Sequence, residues 1–286
     1  SLPGMQVDAP LFEARDTSAL ISWLTSQDNP ARSQVALENQ QTGDPLVGMV
    51  GGSYGGGIPW TTGAIDPRVD AIAPEISWNS LLSSLYPNNN QFMTGFGTLL
   101  AGLLLVSGTD ANSQIYAGVL TGATLGWLSQ TSQAVLASAG PTALVGHITA
   151  PALIFQGVQD VLFELGQSVP NAQSLVAAGT ETKMVWFCGG HGQCNVPLNV
   201  HQADLGFVDN LKWLDRYVVG IENETTEIKA FQWYDQLGEH HSSDSLPFQD
   251  GFNLPDPYTV AGKGGLLGLG PIIGGSGPGL VPGVFP

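Results

Sequence analysis

Residues 48–57 read GMVGGSYGGG, a single serine, Ser53, set among glycines directly behind an apolar run. Glycine loses more conformational freedom on ordering than any other residue, so so dense a cluster marks backbone where side chains are not tolerated. The preceding PLVGMVGG is continuously apolar, the pattern of a strand buried in a parallel sheet. A helical stretch follows to about Ile65. A G-x-S-x-G between such a strand and such a helix meets the structural demand of a nucleophile elbow, where a sharp turn lifts the serine oxygen clear of the sheet. Side chains at Gly51 and Gly55 are expected to collide with neighbouring backbone. The helix behind Ser53 presents free N–H groups, that of Tyr54 first, as an oxyanion donor. A phosphate loop is the rival reading, but no G-x-x-x-x-G-K-[ST] is present and no lysine is near; a G-x-G-x-x-G dinucleotide fingerprint is also missing after this strand. Pro59 falls in the first turns of the helix and is expected to break or distort it.

A serine nucleophile needs a base, and the base needs an orienting acid. In a fold with this elbow the chain order is serine, acid, histidine. Asp160 closes LIFQGVQD just past one strand, and His191 sits in a glycine-rich loop just past the next. Both then reach Ser53 at the carboxyl edge of the sheet, where such folds bind ligands. Asp66, Asp70 and His147 fall at the opposite edge, His201 opens the last helix, and Glu164 is the reserve acid. His240 and His241 with Glu239 lack the further ligands of a metal site, and no metal or other cofactor is expected.

Strands alternating with helices predict an α/β class with a parallel sheet. DTSALISWLTSQ reads as a helix with Asp16 as N-cap; strands are expected near Ala71 to Pro74, in APALIFQG and in TKMVWFC; FVDNLKWLDRYVVG is an amphipathic helix. Between about Trp78 and Pro141 the chain is helical, poor in charge and too long for a loop, and is expected to cap the carboxyl end of the sheet. The organisation read from this is a core in two parts, residues 1–77 and 142–221, a helical cap insertion at 78–141, and a C-terminal part, 222–286. That last part holds a strand and turn in IKAFQWYDQLGEHHSSDSLP and, from Gly262, a Gly/Pro-dense linker or irregular wrap. The 8 Lys and Arg against 24 Asp and Glu give a net charge of −16. Nucleic acid and anionic membrane surfaces, which need a basic footprint, are excluded as partners. The longest apolar stretch, Leu99 to Val106, falls short of the roughly 20 residues of a membrane span and reads as a buried helix.

The two cysteines, Cys188 and Cys194, flank His191 in CGGHGQC. Their spacing is neither a zinc pattern nor C-x-x-C. Either they are buried free thiols, or they close a short disulfide loop that adds about 2 kcal/mol and holds His191 in place. The second reading implies an oxidising compartment outside the cytoplasm.

Taken together, RDTSALISWL, GDPLVGMVGGSYGGGI, DPRVDAIAPEISWNSL, LIFQGVQDVLF and CGGHGQC resemble the X-Pro dipeptidyl-peptidase and cocaine-esterase-like (CocE/NonD) branch of the α/β-hydrolases, over roughly Val7 to Leu246. The resemblance implies an α/β-hydrolase core with a helical cap and a C-terminal β-sandwich, of which FQWYDQLGEHHSSDSLP is the leading strand. It implies Ser53 as nucleophile, Asp160 as acid and His191 as base in acyl transfer on an ester or peptide; with the disulfide reading of Cys188 and Cys194, a secreted or cell-envelope, extracytoplasmic bacterial protein is expected. Glu75 is the candidate for a substrate ammonium, and Trp78, Tyr86 and Trp127 are candidate pocket walls. Family members also carry early sheet strands, one of which supplies a second oxyanion donor, and a much longer C-terminal part. An upstream segment of the same protein is therefore expected to cover the strand around Val47 to Val50. The competing reading is a catalytically silent α/β-hydrolase scaffold in a cell-envelope assembly.

Overall fold

Six strands form one sheet in chain order: β1 (Gly48–Gly52), β2 (Ala71–Glu75), β3 (Ala152–Gly157), β4 (Thr182–Phe187), β5 (Phe231–Tyr234) and β6 (His240–Ser243). The computed structural model describes residues 4–41, 43–89, 91–106, 108, 110–194, 200–222, 228–235 and 237–252; the stretch from Gly262 lies outside them. β1 to β5 are parallel, and β6 turns back antiparallel on β5, pairing Phe231 with Ser243 and Tyr234 with His240. Within the described residues, FQWYDQLGEHHSSDSLP is thus a hairpin that widens the central sheet; whatever follows Phe252 toward a sandwich lies outside them.

The central strands are buried on both sides because their side chains alternate between two helical layers. Ile72, Ile154 and Met184 pack with Trp60 and Leu175, from α2 (Tyr54–Gly63) and α7 (Leu165–Ala178). Ala71, Ala73, Leu153 and Val185 face Trp213 of α8 (Val200–Leu214) on the other side. This explains the unbroken apolar runs in the sequence. β1 is an edge strand, and Val50 on it is 44% exposed.

The first helix, α1 (Glu13–Leu24), begins three residues before Asp16, which therefore lies in its first turn and does not cap it. Glu13 displaces it: its carboxylate reaches back to accept the N–H groups of Gln6 at 2.6 Å and Ala9 at 2.9 Å, fixing the turn that enters the helix. α2 runs through Pro59 unbroken, contrary to expectation. The proline forfeits one bond to the Gly55 carbonyl, but residues 56, 57 and 59–63 are buried against the sheet, and that packing outweighs the lost bond.

Between β2 and β3 lie α3 (Leu81–Leu85), α4 (Thr94–Val106), α5 (Ser113–Leu125) and α6 (Gln130–Ser138). They enclose a core of their own around Trp78, Phe92, Ile115 and Leu128. Gly97 and Gly122 make room for the Phe92 ring, since a Cβ at either would fall 2.1 or 2.3 Å from it. α4 is not the buried helix its composition suggests. Gly97, Ala101 and Leu104 are buried, but Leu99, Leu103, Leu105 and Val106 are 53% to 84% exposed. No helix among the described residues is long and apolar enough to cross a membrane.

Candidate active site

Parallel strands end at one edge, and three loops at that edge carry the site. Ser53 follows β1 directly, Asp160 lies three residues past β3, and His191 four past β4. Ser53 has φ 54° and ψ −120°, a conformation that L side chains rarely adopt. It is held by its N–H donating to the Glu75 carbonyl at 2.9 Å and its carbonyl accepting from Gly56 N–H at 2.9 Å. A Cβ at Gly51 would lie 2.2 Å from the Gly55 carbonyl oxygen, and one at Gly56 2.6 Å from the Glu75 carbonyl oxygen. Gly55 itself faces open space, so the expected collision there is corrected: the tight approaches are at Gly51 and Gly56. Gly51→Ala is expected to slow the reaction of Ser53 with a fluorophosphonate at least about 100-fold by pushing the elbow open, whereas Gly55→Ala stays within about threefold of wild type; parallel labelling kinetics on the two purified variants test this.

Ser53 Oγ lies 2.6 Å from His191 Nε2, and His191 Nδ1 lies 2.8 Å from Asp160 Oδ2. With Nδ1–H donating to the carboxylate, Nε2 is left as the acceptor facing the serine hydroxyl. The other Asp160 oxygen accepts the N–H groups of Leu162 and Phe163, both at 2.8 Å, so the buried carboxylate cannot rotate away. The Phe163 ring meets the His191 ring edge-on with centroids 5.1 Å apart. Cys188 and Cys194 are joined in a disulfide bracketing His191. Tyr54 is the first residue of α2, so its N–H has no partner within the helix.

A cavity of about 390 Å³ opens beside Ser53 and His191. Tyr54 and Trp78 line it, as do Met5 and Val7 from the N-terminal stretch and Leu162 and Phe163 from the Asp160 loop. α3 contributes Leu81 and Leu85. Of the four expected pocket residues, the three aromatic walls and Glu75, Trp78 alone lines this cavity. Glu75 turns toward α8 and accepts a 2.7 Å hydrogen bond from Asn210 Nδ2. Tyr86 is buried in the core of the helical region, and Trp127 is 47% exposed away from the cavity. The reserve acid Glu164 precedes α7 as its N-cap, and Asp66 is paired with Arg68 at 2.6 Å.

Sequence reasoning missed Asp8. It lies fully buried behind Tyr54, where a Cβ at Gly57 would be 2.2 Å from its Oδ2. Neither carboxyl oxygen finds a full hydrogen bond among the described residues. Burial first, then the nearby Glu13 charge, push Asp8 up to about 8, with the Tyr54 hydroxyl acting weakly the other way. Burial, followed by the charges of Asp8 and Glu13, raises the Tyr54 phenol as well. The folded chain therefore keeps a proton on Asp8 that the unfolded chain loses near pH 4, and the contribution of this group to stability falls as pH rises from about 4 to about 8. Asp8→Asn removes that slope. Its melting temperature is expected to gain on wild type by at least about 4 °C between pH 5 and pH 8; thermal melts across that range check it, and parallel curves would rule out a protonated Asp8.

A parallel sheet flanked by helices, with a serine at a strand–helix elbow facing a histidine and an aspartate from later strand ends, defines an α/β-hydrolase. The family model of X-Pro dipeptidyl-peptidases (S15 family) matches residues 4–193, well over half of the chain. The chain belongs to that family, whose members are hydrolases. No match was found among curated proteins. Among solved structures, a CocE/NonD family hydrolase from Staphylococcus aureus superposes with a TM-score of 0.54 at 15% identity, covering 85% of this chain and 40% of its own. An aminopeptidase from a marine sediment archaeon, a thaumarchaeote, gives 0.54 at 17%, covering 84% of this chain and 45% of its own. The fold is thus shared, and the chain spans less than half the length of these relatives.

Proposed function

We propose that the chain is the catalytic core of a serine hydrolase that cleaves an ester or amide by acyl transfer through Ser53, His191 and Asp160. The observation carrying this is the unbroken relay from Ser53 Oγ through the imidazole to a doubly anchored carboxylate. Ser53 Oγ attacks the carbonyl carbon while its proton passes to His191 Nε2. Asp160 holds the imidazole tautomer and stabilises the imidazolium. The Tyr54 N–H stabilises the oxyanion, a contribution of about 3 kcal/mol for a well-aimed donor. The bond to the leaving alcohol or amine breaks as that group takes the proton from His191. Water then attacks the acyl-serine, giving one proton to His191, which returns it to Ser53 Oγ as the acid leaves.

The disulfide across the His191 loop favours a secreted or cell-envelope setting, and the edge of β1, unpaired among the described residues, with its exposed Val50 favours a covering segment from the same protein. The test is labelling with a fluorophosphonate followed by peptide mapping: the adduct belongs on Ser53, and an unlabelled folded chain would leave the silent-scaffold reading in its place.

A further inference from the structure

We infer that the cavity beside Ser53 is an acyl-chain site, and that the substrate is an ester of a medium to long apolar acyl group, not a peptide with a free N-terminus. This rests on the hydrolase reading above and adds the substrate class. α4 turns one continuous face to the cavity, with Phe96, Leu99, Leu100, Leu103 and Leu104 at helical spacing. Leu99 and Leu103 are also 53% and 56% exposed, so the cavity opens along α4 and a chain longer than the enclosed space runs out over that helix. No Asp, Glu, Lys or Arg side chain is among the lining residues. A substrate ammonium desolvated there would need a carboxylate. The two acidic candidates do not supply one: Glu75 is engaged by Asn210, and Asp8 lies behind the wall under Gly57. The Trp78 indole N–H is spent on the Ala139 carbonyl at 3.2 Å, and the Tyr54 hydroxyl sits 3.0 Å from Met5 Sδ and beside the buried Asp8, leaving Ser53 and His191 as the polar side chains at the reacting end of the cavity. Such a surface recognises length and apolarity. Each methylene moved from water into it raises kcat/KM by up to about fourfold.

The experiment is a nitrophenyl ester series from acetate to dodecanoate, kept below micelle formation, run beside an Ala-Pro anilide and fluorophosphonate labelling. kcat/KM is expected to rise at least about 100-fold from acetate to octanoate. Leu100→Trp, which fills the α4 side of the cavity, is expected to cut the octanoate-to-acetate ratio at least about tenfold. Leu103→Trp, at a half-exposed position that tolerates bulk, gives the same direction should the first variant fold poorly. A flat or falling series, or faster turnover of the anilide, in protein that labels on Ser53 overturns the acyl site and leaves the hydrolase reading standing. Loss of labelling and turnover together overturns the hydrolase reading instead. Binding then decides the site independently: 1-decanol should raise the melting temperature of Ser53→Ala protein more than 1-butanol does, and Leu100→Trp should abolish the difference. Equal effects of the two alcohols overturn the acyl site whatever the turnover.

Discussion

Ser53→Ala is expected to lower kcat/KM on an activated ester by about 10⁴-fold or more and to abolish fluorophosphonate labelling, with the melting temperature within about 2 °C of wild type. The loss is large because the hydroxyl oxygen is the atom that bonds to the substrate carbon, and no other lining residue carries an aliphatic hydroxyl or a thiol to replace it. Stability is little affected because alanine at φ 54° carries the same Cβ as serine, and the elbow is held by backbone bonds to Glu75 and Gly56 that do not involve the side chain. Groups that act as one relay lose their effects non-additively. The double variant Ser53→Ala, His191→Ala should therefore be no slower than Ser53→Ala alone. Undiminished labelling in Ser53→Ala would move the nucleophile elsewhere and dissolve the assignment.

Ser53, Asp160 and His191 were legible because each follows an apolar strand at the end where parallel strands deliver their loops, and the glycines around them announce backbone constraint. The central strands were legible for the related reason that both faces are covered, which leaves continuous apolar runs, whereas PLVGMVGG reads as buried although β1 lies at the edge with exposed residues, because its strand residues, GMVGG, are largely glycines. Helical faces were harder to read. LLAGLLLV has no polar residue to mark its solvent side, so composition alone suggested full burial, whereas the structure exposes Leu99, Leu103, Leu105 and Val106. Tyr86 and Trp127 failed as wall residues because aromatic type says nothing about which side of a helix bundle a residue faces. Glu75 failed because successive residues of a strand alternate sides, and this one falls on the α8 side. Phe163 carried a readable signal, the VLF directly after Asp160, since an aspartate accepting N–H groups two and three residues on is a common turn. Asp8 carried none: only long-range packing under Gly57 makes it a buried acid.

Gly190→Ala, one residue before the histidine, should cost about 10³-fold in kcat with KM little changed. Gly190 has φ +106°, and a Cβ there would lie 2.7 Å from Asp160 Oδ2, the oxygen that accepts from His191 Nδ1. Relief requires either the carboxyl or the 190–191 backbone to move. The carboxyl is pinned by the Leu162 and Phe163 N–H groups and the loop by the Cys188–Cys194 bridge, so the strain falls on the Nδ1 contact between them. An imidazole without its orienting acid takes the wrong tautomer, and the loss in the best-studied triads is of order 10⁴ in turnover. Substrate binding is spared because Gly190 does not line the cavity. The backbone strain of alanine at this φ also lowers the melting temperature by several degrees. Strain alone would not give the kinetic signature, which is the discriminating result: in an Asp160→Asn background, adding Gly190→Ala should produce almost no further loss in kcat, since the contact it disturbs is already gone. Independent, multiplying losses in the double variant would mean that Gly190 supports the site by a route other than the Asp160–His191 contact.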